Sequence, residues 1–151
     1  MELAQLKEML ANVVPFNKHI GLEIVEVSAG AGEVRLPEGP HLLNHIGTQH
    51  AAALFAVAEA ASGAAVVGAL ADQITTVTPI ARNAQIAYMK PARGPILAKA
   101  RISEEPDSLL RELGAQGRAD FQVHVDLEDA AGLKVAEMTV AWYVRKNPPS
   151  N

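Results

Sequence analysis

The feature that most constrains this chain is an apolar run at residues 51–71, AAALFAVAEAASGAAVVGALA, whose one charged residue is Glu59. An alanine-rich run of this length predicts one long helix that must be covered on most of its sides. An ionised carboxylate buried without a partner costs several kcal/mol. Glu59 is therefore either a functional group or a structural carboxylate that pairs with an arginine or caps a strand.

The same run has the length of a membrane span. Glu59, two glycines, the alanine content and the lack of flanking Lys, Arg or aromatic residues favour instead the core helix of a soluble protein. The N-terminus, MELAQLKEML, does not resemble a secretory signal, and the chain has no cysteine, so we expect a cytoplasmic protein that makes no membrane contact.

Composition narrows the classes of function further. A length of 151 residues suits one domain, residues 1–151, and the absence of cysteine excludes thiolate nucleophiles and cysteine-ligated zinc. A net charge of −4 leaves no basic surplus for phosphates, so nucleic acid is not an expected partner. His41, His45 and His50 share no helical face, since Pro40 and Gly47 interrupt them, and we expect no metal site.

Hydrophobic periodicity predicts an α+β fold with one antiparallel sheet of about five to six strands, in consecutive hairpins, wrapped around one long central helix. An N-terminal helix is expected within residues 1–14, and a break lies between Pro15 and Gly21. Thr48 is the predicted N-cap of the long helix, which should end near residue 70. The remaining predicted elements are strands beginning at Leu22 and at Val34, strands near 74–90, 96–104, 119–128 and 134–145, a short helix at 107–113, a hairpin turn at 129–132 and a loose tail at 147–151.

Two segments carry a resemblance to a known family. Asn44, His50 and Glu59 have the spacing of an Asn, a His-Gly-Gly helix start six residues later, and an Asp or Glu nine residues after that His. The stretch 86–94, IAYMKPARG, is similar to a strand that ends in Tyr/Phe-x-x-Pro-Ala. Over roughly residues 20–145 the chain thus resembles the hotdog-fold acyl-CoA thioesterases of the phenylacetyl-CoA thioesterase-like branch. The resemblance implies a hotdog fold, an acyl-CoA substrate, no cofactor, and a homodimer or homotetramer with active sites at the dimer interface.

The sequence departs from the family pattern at two places. Ala51 and Ala52 replace the two glycines, which keeps the backbone N–H groups but adds methyl groups beside them. Ala81 stands where related enzymes often have a Ser or Thr that steers water, and Thr78, Asn83 and Ser62 are alternatives for that role. Ser62 lacks the context of a nucleophile elbow, so packing is its expected role.

Thioester hydrolysis needs a donor for the carbonyl oxygen and a base or nucleophile. The N–H of Ala51 at the helix start suits the first task, and Glu59, with a pKa raised by burial, suits the second. Asn44 would hold the water or the carbonyl geometry, or else it is a turn residue whose side chain satisfies its own loop. His50 would orient the helix start. Residues 51 and 59 lie about 12 Å apart along one helix, so a working site requires Glu59 of a second subunit.

Cations near Pro91 are either ordinary solvated charges or candidates for binding coenzyme A phosphates. Lys90, Arg93 and Arg82 are expected to cluster there, and Thr48 at the helix start is added as a substrate-binding candidate. A non-catalytic acyl-CoA binder or sensor on the same fold is the alternative function. A hydratase or dehydratase of the hotdog type is a third possibility, ranked last because the proline-rich and glycine-rich loop that precedes the helix in those enzymes is not present in this sequence.

Overall fold

The computed structural model describes residues 1–149, in which one antiparallel sheet of six strands wraps around a helix of 19 residues. The helices are α1 (Leu3–Val13), α2 (Pro15–His19), α3 (Ala51–Ala69) and α4 (Pro106–Gln116), and short 3-10 turns cover Pro40–Leu42 and Ile74–Thr76. The strands are β1 (Glu23–Ser28), β2 (Ala31–Leu36), β3 (Val77–Tyr88), β4 (Ile96–Ile102), β5 (Arg118–Glu128) and β6 (Lys134–Lys146). The predicted α+β hotdog fold is confirmed.

The strand order is β1-β2-β4-β5-β6-β3, and every neighbouring pair is antiparallel. The prediction of consecutive hairpins is wrong at one point, because β4 pairs with β2 while β3 pairs with β6. The long helix α3 lies between β2 and β3 in the chain, so the chain crosses the inner face of the sheet before β3 begins at the far edge. The result is that β3 forms one of the two edges of the sheet.

Small residues let the sheet close onto α3. A Cβ built on Gly68 would lie 2.0 Å from the backbone oxygen of Ser28, and a Cβ built on Gly32 would lie 2.7 Å from the Cβ of Ala64. β1 and β2 therefore approach the helix more closely than any larger side chain would allow. The helix is long and apolar enough to span a membrane, but 72% of its apolar window is buried inside the protein, as in a core helix.

Two predictions for segments near the ends of the chain need correction. The segment between Pro15 and Gly21 is not a simple break, because it forms α2 with Pro15 in the first turn, where a missing N–H costs nothing. The first residue of the predicted tail is held in place, because Asn147 donates its N–H to the Thr76 oxygen at 2.8 Å. Residues 150 and 151 of the predicted tail lie outside the described residues.

Candidate active site

The first turn of α3 leaves one backbone donor without an acceptor among residues 1–149. The Ala52 N–H donates to His50 Nδ1 at 2.9 Å, while the N–H groups of Ala53 and Leu54 donate to the His50 oxygen at 2.9 and 3.0 Å. The Ala51 N–H has no such bond. The positive end of the helix dipole therefore presents a single free donor at residue 51.

The N-cap is His50, so the prediction of Thr48 is wrong. An isolated β-bridge between Leu43 and Gln49 keeps the chain extended until just before His50, which delays the helix beyond the reach of the Thr48 hydroxyl. Thr48 is instead buried, and its Oγ1 accepts a hydrogen bond from Asn44 Nδ2 at 2.7 Å.

Asn44 organises the loop that precedes the helix. Its Oδ1 accepts from the N–H groups of Ile46 and Thr48 at 3.1 and 3.0 Å, and its Nδ2 donates to the Thr48 hydroxyl. Both ends of the side chain are thus engaged within the loop, in the manner of an Asx turn. In this structure Asn44 shapes the approach to Ala51.

Gln49, which the sequence interpretation missed, fastens this loop to two others. It is 2% exposed, its Nε2 donates to the oxygens of Pro37 and Gly94 at 3.0 and 2.8 Å, and its N–H donates to the Ala92 oxygen at 2.8 Å. Its Oε1 is buried without a hydrogen-bond partner in the described chain. No local pattern marks such a residue, because its partners are distant in sequence.

A cavity of about 330 Å³, here named the loop cavity, opens beside the free Ala51 N–H. It lies between the 44–49 loop and the segment that follows β3, and its lining includes Thr48, Ala51, Leu54, Tyr88 and Lys90. The Tyr88 hydroxyl donates to the Ala51 oxygen at 3.1 Å, which fixes the end of β3 against the start of α3.

Glu59 is partly buried on α3, and its carboxylate makes no ion pair or side-chain hydrogen bond within residues 1–149. Burial raises the pKa of this carboxyl above 4.5. The alternative in which Glu59 is held by an arginine therefore has no support in the described residues. An unpaired carboxylate whose pKa is raised is a stronger proton acceptor than one with an ordinary pKa.

One stripe of α3 remains uncovered. It runs along successive turns of the helix and consists of Ala51, Ala52, Phe55, Glu59 and Gly63. Phe55 lies at the centre of this stripe, and 37% of its surface is exposed. We call these five residues the open stripe.

The three candidates for steering water differ in what they contact. Ser62 is fully buried, where its hydroxyl donates to the Glu59 backbone oxygen at 2.7 Å and accepts from Trp142 Nε1 at 3.2 Å. Ser62 thus ties α3 to β6, which fits the expected packing role. The Thr78 hydroxyl bonds to Asn147, whereas Asn83 is exposed on β3.

The predicted cluster of cations forms only in part. Lys90 lines the loop cavity and Arg93 is exposed three residues later, but Arg82 lies six residues before the end of β3, about 20 Å away along an extended strand. There Arg82 pairs with Asp120 at 3.5 Å and stacks 3.9 Å above the Tyr143 ring. Grouping Arg82 with Lys90 was therefore wrong.

A separate group of possible metal ligands lies on β5 and β6. One ligand atom from each of His124, Asp126 and Glu137 lies within 4.8 Å of the others. Lys134 already supplies a cation, at 2.8 Å from Asp126 and 2.6 Å from Glu137. Burial tends to raise the pKa of Asp126, but hydrogen bonds from Lys134 and His124 outweigh it and hold the pKa below the usual range.

Comparison with known proteins places the chain in a family. The DUF4442 family, a domain of unknown function, matches residues 3–144. No curated protein matches the sequence significantly.

Solved structures share the fold over nearly the whole chain. A Pseudomonas aeruginosa protein described as a probable thioesterase is 27% identical over 97% of each chain, with a TM-score of 0.85. A Chlorobaculum tepidum protein of unknown function is 17% identical over 95% of this chain and 94% of its own, with a TM-score of 0.84. A Staphylococcus aureus thioesterase enzyme is 14% identical over 87% of this chain and 99% of its own, with a TM-score of 0.71. At those last two identities the likeness concerns the fold alone. The family match shows that the chain belongs to the DUF4442 family, and it shares the hotdog fold with these neighbours, of which the first is described as a probable thioesterase.

Proposed function

We propose that the protein hydrolyses acyl-CoA thioesters. The observation that carries this proposal is the pair of groups on α3, a free N–H at Ala51 and an unpaired, partly buried carboxylate at Glu59. The likeness to a protein described as a probable thioesterase supports the reaction class.

The two groups divide the chemistry between them. The Ala51 N–H, at the positive end of the helix dipole, donates to the thioester oxygen as negative charge develops on it. Glu59 takes a proton from water as the water oxygen attacks the carbonyl carbon. The carbon–sulfur bond then breaks, and the thiolate of coenzyme A leaves and takes up a proton. In the other form of the mechanism the Glu59 carboxylate attacks the carbonyl carbon itself, and the carbon–sulfur bond breaks as the coenzyme A thiolate leaves and takes up a proton. Water then hydrolyses the resulting anhydride to the free acid and restores the Glu59 carboxylate.

The spacing of these groups requires two subunits. Ala51 and Glu59 are about 12 Å apart on one helix, too far to act on one carbonyl. Phe55 lies midway between them on the open stripe. Two copies of α3 packed antiparallel about a two-fold axis at Phe55 would therefore place each Ala51 opposite Glu59 of the partner subunit.

The edge strand supports the same homodimer. β3 is 12 residues long, pairs on one side with β6, and has exposed or partly exposed residues on both faces after Val77. An unprotected edge of this length invites pairing with another strand. A copy of β3 across the two-fold axis would satisfy its free backbone groups.

Coenzyme A is the proposed carrier because of charge near the loop cavity. Lys90 lines that cavity and Arg93 follows three residues later, both exposed to solvent where phosphates could reach them. Lys90→Gln should raise KM with a smaller effect on kcat, since phosphate contacts act equally on the ground state and the transition state. Lys7→Gln on α1 is the matched control.

The test of the function is release of thiol from a panel of acyl-CoA thioesters. Glu59→Gln keeps the size of the side chain and removes its basicity, so kcat should fall by about 100-fold or more. Glu8→Gln, at an exposed position on α1, should leave kcat unchanged. The proposal fails if the wild type releases no thiol from any thioester, or if Glu59→Gln matches it. Binding without turnover would instead identify a non-catalytic acyl-CoA binder.

A further inference from the structure

A second cavity lies on the other side of the start of α3. It has a volume of about 240 Å³ and lies between α2 and the first turns of α3, and we name it the α2 cavity. Phe16 and Ile20 form one wall, Leu42 another, and Ala53 and Ala56 form its floor.

The two cavities flank the free N–H of residue 51. Ala51 and Leu54 line the loop cavity, whereas Ala52, Ala53 and Ala56 line the α2 cavity. The open stripe runs between them. A carbonyl oxygen bound to the Ala51 N–H would therefore have a cavity on each side, one for each substituent of the carbonyl carbon.

We propose that the α2 cavity binds the acyl group of the substrate, an inference that rests on the proposed thioester hydrolysis. The lining of the α2 cavity contains no acid, lysine or arginine, only apolar side chains and the rings of His41 and His50. The loop cavity also has many apolar residues in its lining, but it adds Lys90, the Thr48 hydroxyl and the amide of Asn44. A thioester of coenzyme A has one hydrocarbon substituent and one polar, phosphate-bearing substituent, and this difference matches the two cavities.

The wall formed by α2 is incomplete without an occupant. None of the five residues of α2 is buried, and the aromatic ring of Phe16 is 60% exposed at the mouth of the cavity. A hydrocarbon chain in the cavity would remove part of this apolar surface from water, which is the driving force for binding it.

The volume sets the class of acyl group. A cavity of about 150 Å³ holds benzene, with six carbons, so about 240 Å³ corresponds to roughly eight to ten carbons. The structure thus assigns medium-chain acyl groups to this subsite.

The test measures dissociation constants by calorimetry for coenzyme A and for a series of thioesters from acetyl-CoA to palmitoyl-CoA. Glu59→Gln protein is used so that ligands persist during the measurement. Affinity should rise by about fourfold for each methylene until roughly eight to ten carbons and then level off.

Two variants that alter different features of the length dependence sharpen this test. Ala56→Leu fills the cavity from its floor. The chain length at which affinity levels off should fall by about three carbons, the number that leucine adds relative to alanine. The affinity for acetyl-CoA should stay within about twofold of the wild-type value. Phe16→Ala removes an exposed wall and should reduce the gain per methylene without changing the affinity for coenzyme A. Ala115→Leu, at an exposed position on α4, is the control for the added side chain. If Ala56→Leu does not fold, the Phe16→Ala comparison still decides the matter.

The outcomes separate this inference from the proposed function. Affinity that is independent of chain length, or variants that weaken acetyl-CoA and octanoyl-CoA equally, would overturn the acyl subsite even if thiol is released. Length-dependent binding without thiol release would refute hydrolysis and leave the subsite standing.

Discussion

The two ends of α3 are built from the same small residues but face different surroundings. From Ala64 to Ala69 every residue is buried under the sheet, and Gly68 touches the backbone of β1. From Ala51 to Gly63 the open stripe is left without cover. Composition alone therefore does not decide the role of an alanine-rich turn, because what packs against it does.

The difference separates stability from chemistry along one helix. The end from Ala64 to Ala69, here called the closed end, packs closely against the sheet and contains no charged residue. The open end holds the free N–H of Ala51 and the unpaired carboxylate of Glu59, both of which would be costly inside a sealed core. The following predictions test this contrast.

Gly68→Ala should have the largest effect, because the new Cβ would lie 2.0 Å from the Ser28 oxygen. We expect a loss of unfolding free energy on the order of 3 kcal/mol or more, since backbone of β1 must move. Chemical denaturation measures it. Gly114→Ala on α4 meets nothing within 4 Å and should instead gain about 0.5–1 kcal/mol. Equal stability of the two variants would mean that the closed end is not tightly packed.

Phe55→Glu tests whether the open end is a subunit interface. Two like charges at the two-fold axis should weaken dimerisation by about 100-fold or more, with loss of thiol release but no loss of fold. Analytical ultracentrifugation and circular dichroism measure these effects. Val13→Glu, at a position that is 58% exposed, is the control. A wild type that is fully active as a monomer would contradict the arrangement.

His50→Ala tests the start of the helix. It removes the acceptor of the Ala52 N–H and should cost about 1 kcal/mol of unfolding free energy. His50→Ser should restore most of that stability, because serine is also a good N-cap. Thermal denaturation compares the three proteins, and equal losses in both variants would show that the ring acts through packing.

Glu59→Gln should change the free energy of unfolding least of these variants, and the change should depend on pH. The pKa of Glu59 is raised in the folded state, so the fold holds the proton more tightly than the unfolded chain does. This stabilisation is present below about pH 4.5 and is lost as the pH rises through the folded pKa.

At pH 7 Glu59→Gln should therefore have a higher free energy of unfolding than the wild type, and this difference should shrink at pH 4. Denaturation curves at pH 4 and pH 7 measure the difference. A variant that is less stable at pH 7 would reveal a favourable partner for the carboxylate.

Local sequence patterns predicted most of the elements. The apolar run predicted α3, and alternation predicted β5 and β6 to within one residue at each end. The strand order was missed where α3 carries the chain across the sheet, because periodicity along the chain contains no information on which strands become neighbours.

The roles of Ala51 and Glu59 stay predictions, but the sequence did single out these two groups, which the described structure leaves unpaired, and it missed the residues that support them. Ala51 and Glu59 follow from the helix start and the lone acid, but the N-cap moved from Thr48 to His50 because the preceding bridge keeps the chain extended. Gln49 and the wall at Phe16 depend on contacts with segments far away in sequence. No local pattern indicates such contacts.

The bond from Trp142 to Ser62 gives the protein a built-in optical probe. Trp142 is the only tryptophan in the chain, and its indole N–H reaches the hydroxyl that also binds the Glu59 backbone oxygen. Because indole emission depends on the polarity around the ring and on its hydrogen bonding, intrinsic fluorescence monitors the middle of α3 with no added dye. Ligand titrations could thus be followed from inside the molecule.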